Sequence, residues 1–168
     1  MLFSERQRFT QWWMWALLLV AVAPLWYGVY QQVVQGRPWG TNPASDGMLV
    51  GTWLIAGVGL PIFFAAMHLR TEVHTDRICI RFFPIHRRYR CWSYEEIESV
   101  DVREYSPLRE YGGWGIRRGV GGWAYNVRGR IGVQLVLKSG KRILIGTQEP
   151  DAFLAAVQAA VSPRGRGR

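Results

Sequence analysis

The chain predicts a membrane α plus cytoplasmic mostly-β protein. An N-terminal two-helix transmembrane hairpin leads into a partly closed antiparallel barrel of about seven strands with a C-terminal capping helix. Three observations carry this reading. Segments 9–36 and 47–69 contain no Asp, Glu, Lys or Arg. From residue 70 on, short runs of alternating apolar residues are separated by turn residues. The stretch that begins at Pro150 returns to helical spacing, with Phe153, Leu154, Val157 and Val161 on one face.

Each uncharged segment exceeds the ~20 residues that a helix rising ~1.5 Å per residue needs to cross a bilayer core. Both are apolar on all faces, which a soluble amphipathic helix is not. Trp12, Trp13 and Trp15 crowd one end of the first segment and Trp26, Tyr27 and Tyr30 lie towards the other. Such rings favour the headgroup boundary. Pro24 and Pro61 lie near the two midpoints and predict kinks. A cleaved signal peptide competes for the first segment, since Arg6 and Arg8 precede it and Ala21-Val22-Ala23 resembles a cleavage site. Pro24 directly after that site, and the apolar run beyond it, favour a retained helix.

Charge sets the expected orientation. Arg6 and Arg8 precede the first segment, Arg70, Arg77 and Arg81 follow the second, and the connector 37–46 holds only Arg37 and Asp46. The positive-inside rule places both termini in the cytoplasm at the inner membrane. The predicted layout is a basic cytoplasmic tail over 1–8, membrane helices over 9–36 and 47–69, an extracytoplasmic loop over 37–46, a β domain over 70–162 and a basic disordered tail over 163–168. Gly47 and Gly51 form a small-xxx-small spacing on the second helix. The chain holds 21 Lys+Arg against 12 Asp+Glu. Most of that excess follows residue 70, beside the inner leaflet, where anionic headgroups attract it. No nucleic-acid-binding motif accompanies the charge.

Within the β domain, strands are predicted over 71–74, 77–83, 87–92, 97–105, 121–127, 131–138 and 141–147. Thr75-Asp76 and Ser139-Gly140 supply hairpin turns. Ile78, Ile80 and Phe82 share a face, as do Val133, Leu135 and Leu137. Pro84 ends one strand. Ser93 with Glu95 and Glu96 resembles a capping box. Pro150 and Asp151 suit the first turn of the last helix, and Pro163 ends it.

Several stretches carry a family resemblance: ERQRFTQWW over 5–13, YGGWGIRR over 111–118, the pair Ala124-Tyr125, and GVQLVLKSGKRILIGTQ over 132–148 followed by Pro150. On these the chain resembles small bacterial membrane proteins of unknown function that carry a bacterial PH-like (pleckstrin-homology-like) domain after two transmembrane helices. The resemblance implies a PH-like fold for 70–162 and no particular activity. Eukaryotic PH domains bind phosphoinositides through a long basic loop between their first two strands. The corresponding turn here is Thr75-Asp76, short and acid-bearing.

No catalytic constellation is visible. His68, His74 and His86 stand apart, and no metal-ligand spacing occurs. Cys79 and Cys91 are read as reduced, buried thiols of a cytoplasmic domain that could lie on neighbouring strands. The glycine-rich segment 111–125 lacks a phosphate-binding pattern and has no helix after it. It reads either as a tight connection with Trp114 and Trp123 in the core or as a contact loop. Trp123 and Tyr125 suit the core. Trp114, Ile116, Arg117 and Arg118 are the candidate partner-binding residues, because Trp and Arg dominate interface hot spots. Arg70, Arg87, Arg88 and Arg90 are the candidate lipid-surface residues. The expectation is a non-catalytic interaction or scaffolding module at the cytoplasmic face, without metal or cofactor. Its partners would be membrane lipids and a protein, either another membrane or cytoplasmic protein or a second copy of the chain, and no nucleic acid. The alternatives are an anionic-lipid surface sensor and, more remotely, an enzyme.

Overall fold

The computed structural model describes residues 1–162; the basic tail expected over 163–168 lies outside them. The chain forms two compact units. One is Thr10–Ala66; the other joins Met1–Phe9 to the chain from Met67 on.

The helical unit contains α1 (Trp12–Val29), which continues as a π-helical stretch over Tyr30–Val34. After the connector come α2 (Asp46–Thr52), a second π-helical stretch (Trp53–Gly59) and α3 (Leu60–Ala66). Trp12–Val34 and Asp46–Ala66 are long and apolar enough to cross a membrane. Trp26 fastens them together. Its ring meets Trp53 edge-on at 5.0 Å and its Nε1–H donates to the Gly57 carbonyl at 3.1 Å. Ser45 caps α2 by accepting from the Met48 N–H, and Gln32 donates to the Ala44 carbonyl and the Asp46 carboxylate. Gly28 admits the Trp39 ring, which a Cβ would approach to 2.6 Å. Gly47 and Gly51 behave differently: a Cβ on either meets nothing within 4 Å, so their spacing serves no packing inside this unit.

The β unit holds nine strands among the described residues, two more than predicted. The first is β1 (Phe3–Arg8), in the segment expected as a free tail. Then follow β2 (His68–Val73), β3 (Arg77–Phe83), β4 (Arg90–Ser93) and β5 (Ile97–Glu104). A short helix α4 (Pro107–Tyr111) precedes β6 (Gly115–Gly119) and β7 (Gly122–Asn126). Next come β8 (Ile131–Leu137), β9 (Arg142–Gly146) and the final helix α5 (Pro150–Val161). The second apolar segment ends earlier than expected, since His68 and Leu69 already belong to β2. The strand expected over 87–92 begins only at Arg90, because the chain turns through Pro84 and the residues after it.

The strands form two sheets and no closed barrel, with orders β1-β2-β3-β4 and β5-β8-β9-β7-β6. Nor is the pairing wholly antiparallel. β9 inserts between β8 and β7, and β8 runs opposite to both, so β7 and β9 are parallel. Leu69, Val73, Ile78, Ile80 and Phe82 of the first sheet are fully buried, as are Val133, Leu135 and Ile145 of the second. Alternation delivers these residues to one face of each sheet. α5 buries Phe153 and stacks it on Phe3 at 5.4 Å. The other face of the second sheet is also covered, by Tyr105 and Tyr111 over Ala124 and Leu144.

Cys79 and Cys91 are not free thiols. They sit opposite each other in the β3–β4 register, 4.1 Å apart at Cα, and form a disulfide. So narrow a separation belongs to a pair whose backbones share no hydrogen bonds, where facing side chains come closest.

Candidate functional site

The glycine-rich segment is built outward from Arg103 on β5. Its guanidinium donates to the Gln134 side chain at 3.1 Å, the Glu110 carboxylate at 2.9 Å and the Tyr111 hydroxyl at 2.9 Å. One cation thus ties β5, β8 and α4 together. Ser106 caps α4 by accepting from the Arg109 N–H, and the Glu110 carboxylate accepts in return from the Ser106 N–H at 2.7 Å. Pro107 occupies the first turn, where its missing N–H is no loss. Gly112 ends the helix at φ 70°, a left-handed conformation that favours glycine. The Ser106 N–H, with help from Arg103, holds the Glu110 carboxyl below the usual carboxylate range. Burial pushes the Tyr111 phenol up, and that of Tyr105 up to about 12.

α4 in turn supports the β6–β7 hairpin. A Cβ on Gly119 would collide with the Glu110 carbonyl oxygen, and one on Gly121 would come within 2.6 Å of the Tyr111 hydroxyl. A Cβ on Gly122, whose φ is 100°, would collide with the Arg142 carbonyl. The Gly115 N–H donates to the Asn126 side chain at 2.9 Å. Gly119 and Gly122 allow backbone to lie directly on backbone, and Gly121 leaves room for the Tyr111 side chain.

The hairpin brings three of the four predicted partner-binding residues onto one strand. Among the described residues β6 pairs only with β7 and ends its sheet. Ile116 is half-buried, Arg117 and Arg118 are exposed, and Val120 at the tip is fully exposed. Trp114 lies just before the strand, half-buried, and its carbonyl accepts from Arg117 Nε at 3.1 Å. Val120 was not singled out by the sequence; its signal is a lone branched apolar residue between glycines at a hairpin tip. Tyr125 is buried as predicted, whereas Trp123, paired with Arg118 on one side and Ile143 on the other, is 40% exposed.

The four predicted lipid-surface arginines are dispersed. Arg70 pairs with Glu72 at 2.8 Å, and Arg90 donates to the Tyr125 hydroxyl at 2.8 Å. Arg87 and Arg88 are exposed on the turn before β4. The histidines are equally scattered. His74 meets Glu72 at 3.1 Å, His68 stacks on Phe83, and His86 lies near the Tyr125 ring. Among the described residues no three His, Cys, Asp or Glu side chains group to hold a metal ion. Glu96 accepts from the Ser93 N–H at 3.1 Å, the capping-box contact expected of it, here closing a turn.

No curated protein and no solved structure matches this chain. A family model does match, over residues 1–163, which takes in both the helical and the β unit. The chain therefore belongs to DUF6141, a family of unknown function.

Proposed function

We propose that this chain is a membrane-anchored, non-catalytic interaction module whose β unit recruits a protein through the β6 edge. The observation that carries it is a terminal strand, packed against α4, that presents Ile116, Arg117 and Arg118 with unpaired backbone along one side. Such an edge is a template for strand addition. A PH-like architecture belongs to the same proposal. Two packed sheets with one C-terminal helix support it, and the parallel β7–β9 pair is a departure from it.

The anchor is the pair of apolar helices. Arg8 and His68 are partners in the β1–β2 register, so the chain leaves the β unit and re-enters it at facing positions. The N-terminal strand and the described chain from Met67 on therefore share one side of the membrane. The positive charge around both helix ends favours the cytoplasmic side of the inner membrane. The Cys79–Cys91 bond favours the opposite, oxidising side. A C-terminal fluorescent-protein fusion separates the two, because fluorescence after export through the general secretory route fails to develop.

The test of the interaction itself is a photo-crosslinking residue in place of Ile116, in the full-length chain in native membranes. A recurrent protein adduct is the expected result. Adducts with lipid alone, or within the chain alone, would refute the proposal.

A further inference from the structure

We infer that the partner of the β6 edge is the β5 edge of a second copy of this chain, joined so that Arg117 faces Asp101. This deepens the reading of β6 as an interaction edge and rests on it. β5 and β6 are the two terminal strands of the same five-stranded sheet.

The register of that sheet can be followed from one edge to the other. Arg117 pairs with Ala124, Ala124 with Leu144, Leu144 with Gln134, and Gln134 with Asp101. Arg117 and Asp101 thus stand at opposite ends of one row. Residues in a row share a face, and successive rows alternate faces. In the neighbouring row, Ile116 leads through Tyr125, Ile145 and Val133 to Val102. Ile116 and Val102 therefore share the opposite face. Three of the four pairings are antiparallel and one is parallel, so β5 and β6 run in opposite directions. A second copy's β6 laid beside β5 continues the sheet antiparallel and in the same rows. Arg117 then meets Asp101 on one face, and Ile116 meets Val102 on the other.

The side chains suit that joint. Val102 is 39% exposed on the edge strand β5, and Ile116 is half-buried on the edge strand β6. β6 carries the exposed Arg117 and Arg118 and no acid. β5 exposes Glu98, Asp101 and Glu104, while its one base, Arg103, is engaged by Glu110, Gln134 and Tyr111. A basic edge thus closes on an acidic one. Pairing like with like fails on the same ground. A β6–β6 joint centred on the strand sets Arg117 against Arg117, and a β5–β5 joint about Asp101 sets Asp101 against Asp101 and Glu98 against Glu104, which is unfavourable for facing residues. Joining unlike edges is a head-to-tail contact, which propagates into a ring or an open chain of copies.

The experiment uses the full-length chain in native membranes, as two differently tagged populations made together. Each carries a photo-crosslinking residue in place of Ile116. The expected adduct joins the two tags and maps to the peptide around Val102. Arg117→Asp alone or Asp101→Arg alone replaces attraction by repulsion and lowers the adduct by about ten-fold. The two substitutions together in every copy restore it, which a misfolded variant would not do. An adduct that maps away from β5, or a loss that the double exchange does not reverse, overturns the inference. A recurrent adduct with a different protein also overturns it and leaves the interaction module standing. Absence of any protein adduct refutes both.

Discussion

Replacing Glu5 tests how the N-terminal strand is held to the rest of the β unit. Glu5 is 6% exposed, on a strand that immediately precedes the helical unit. Its carboxylate accepts from the Thr147 hydroxyl at 2.6 Å and from the Gln148 N–H at 2.9 Å. Two residues on, the Gln7 amide donates to the Gly146 carbonyl at 2.6 Å. The ERQ and GTQ stretches therefore meet across the gap between the sheets. Glu5→Ala removes both carboxylate bonds. Hydrogen bonds to a charged group contribute ~1.5–3 kcal/mol each. The Gln148 side is partly open, so water replaces some of the loss and about 3 kcal/mol remains. For a chain of this length that lowers the unfolding midpoint by roughly 6–12 °C. Glu5→Gln keeps one carbonyl acceptor and loses about half as much. Thermal unfolding of the full chain in detergent, followed by circular dichroism, reads the midpoint, and hydrogen exchange reads the Gln148 amide. A midpoint shift under about 2 °C with unchanged exchange at Gln148 would refute the reasoning.

Gly119→Ala places a methyl against the Glu110 carbonyl and within 2.8 Å of the Tyr111 ring, where backbone cannot yield. A loss of roughly 2–3 kcal/mol is expected. Gly51→Ala, with open space around it, is expected to be neutral or to stabilise by up to about 1 kcal/mol. Equal losses in the same unfolding assay would contradict this account of the hairpin. Glu110 provides a test by pH. Its folded-state pKa lies below the ordinary value of 4.5, chiefly through the Ser106 N–H and then Arg103. The stability it contributes is present above that ordinary value and is lost as pH falls through the lowered one. Glu110→Gln should therefore flatten the acid limb of the stability–pH curve, and an unchanged limb would show the carboxylate to be uncoupled from folding.

Features that depend on local pattern were legible in the chain alone. Length without charge marked the two apolar helices, and alternation marked β3, β5, β7, β8 and β9 with the faces they bury. Proline and acid placement marked α5, and the Ser139-Gly140 turn was legible because a tight hairpin demands such residues. The same local signals singled out Trp114, Ile116, Arg117 and Arg118 as a contact loop, whereas the structure puts the last three on an edge strand. Which strands are neighbours emerges only in the folded chain, since alternation assigns a face and says nothing of the partner. Residues 1–8 read as a basic tail because the donors to Glu5 and the acceptor for Gln7 lie at residues 146–148, far along the chain. The glycines of 111–125 read ambiguously because their reason is the nearness of the Glu110 and Arg142 carbonyls. Cys79 and Cys91 read as thiols because spacing carries no register. For the same reason, the row that connects Arg117 to Asp101 exists only once β9 has inserted between β7 and β8.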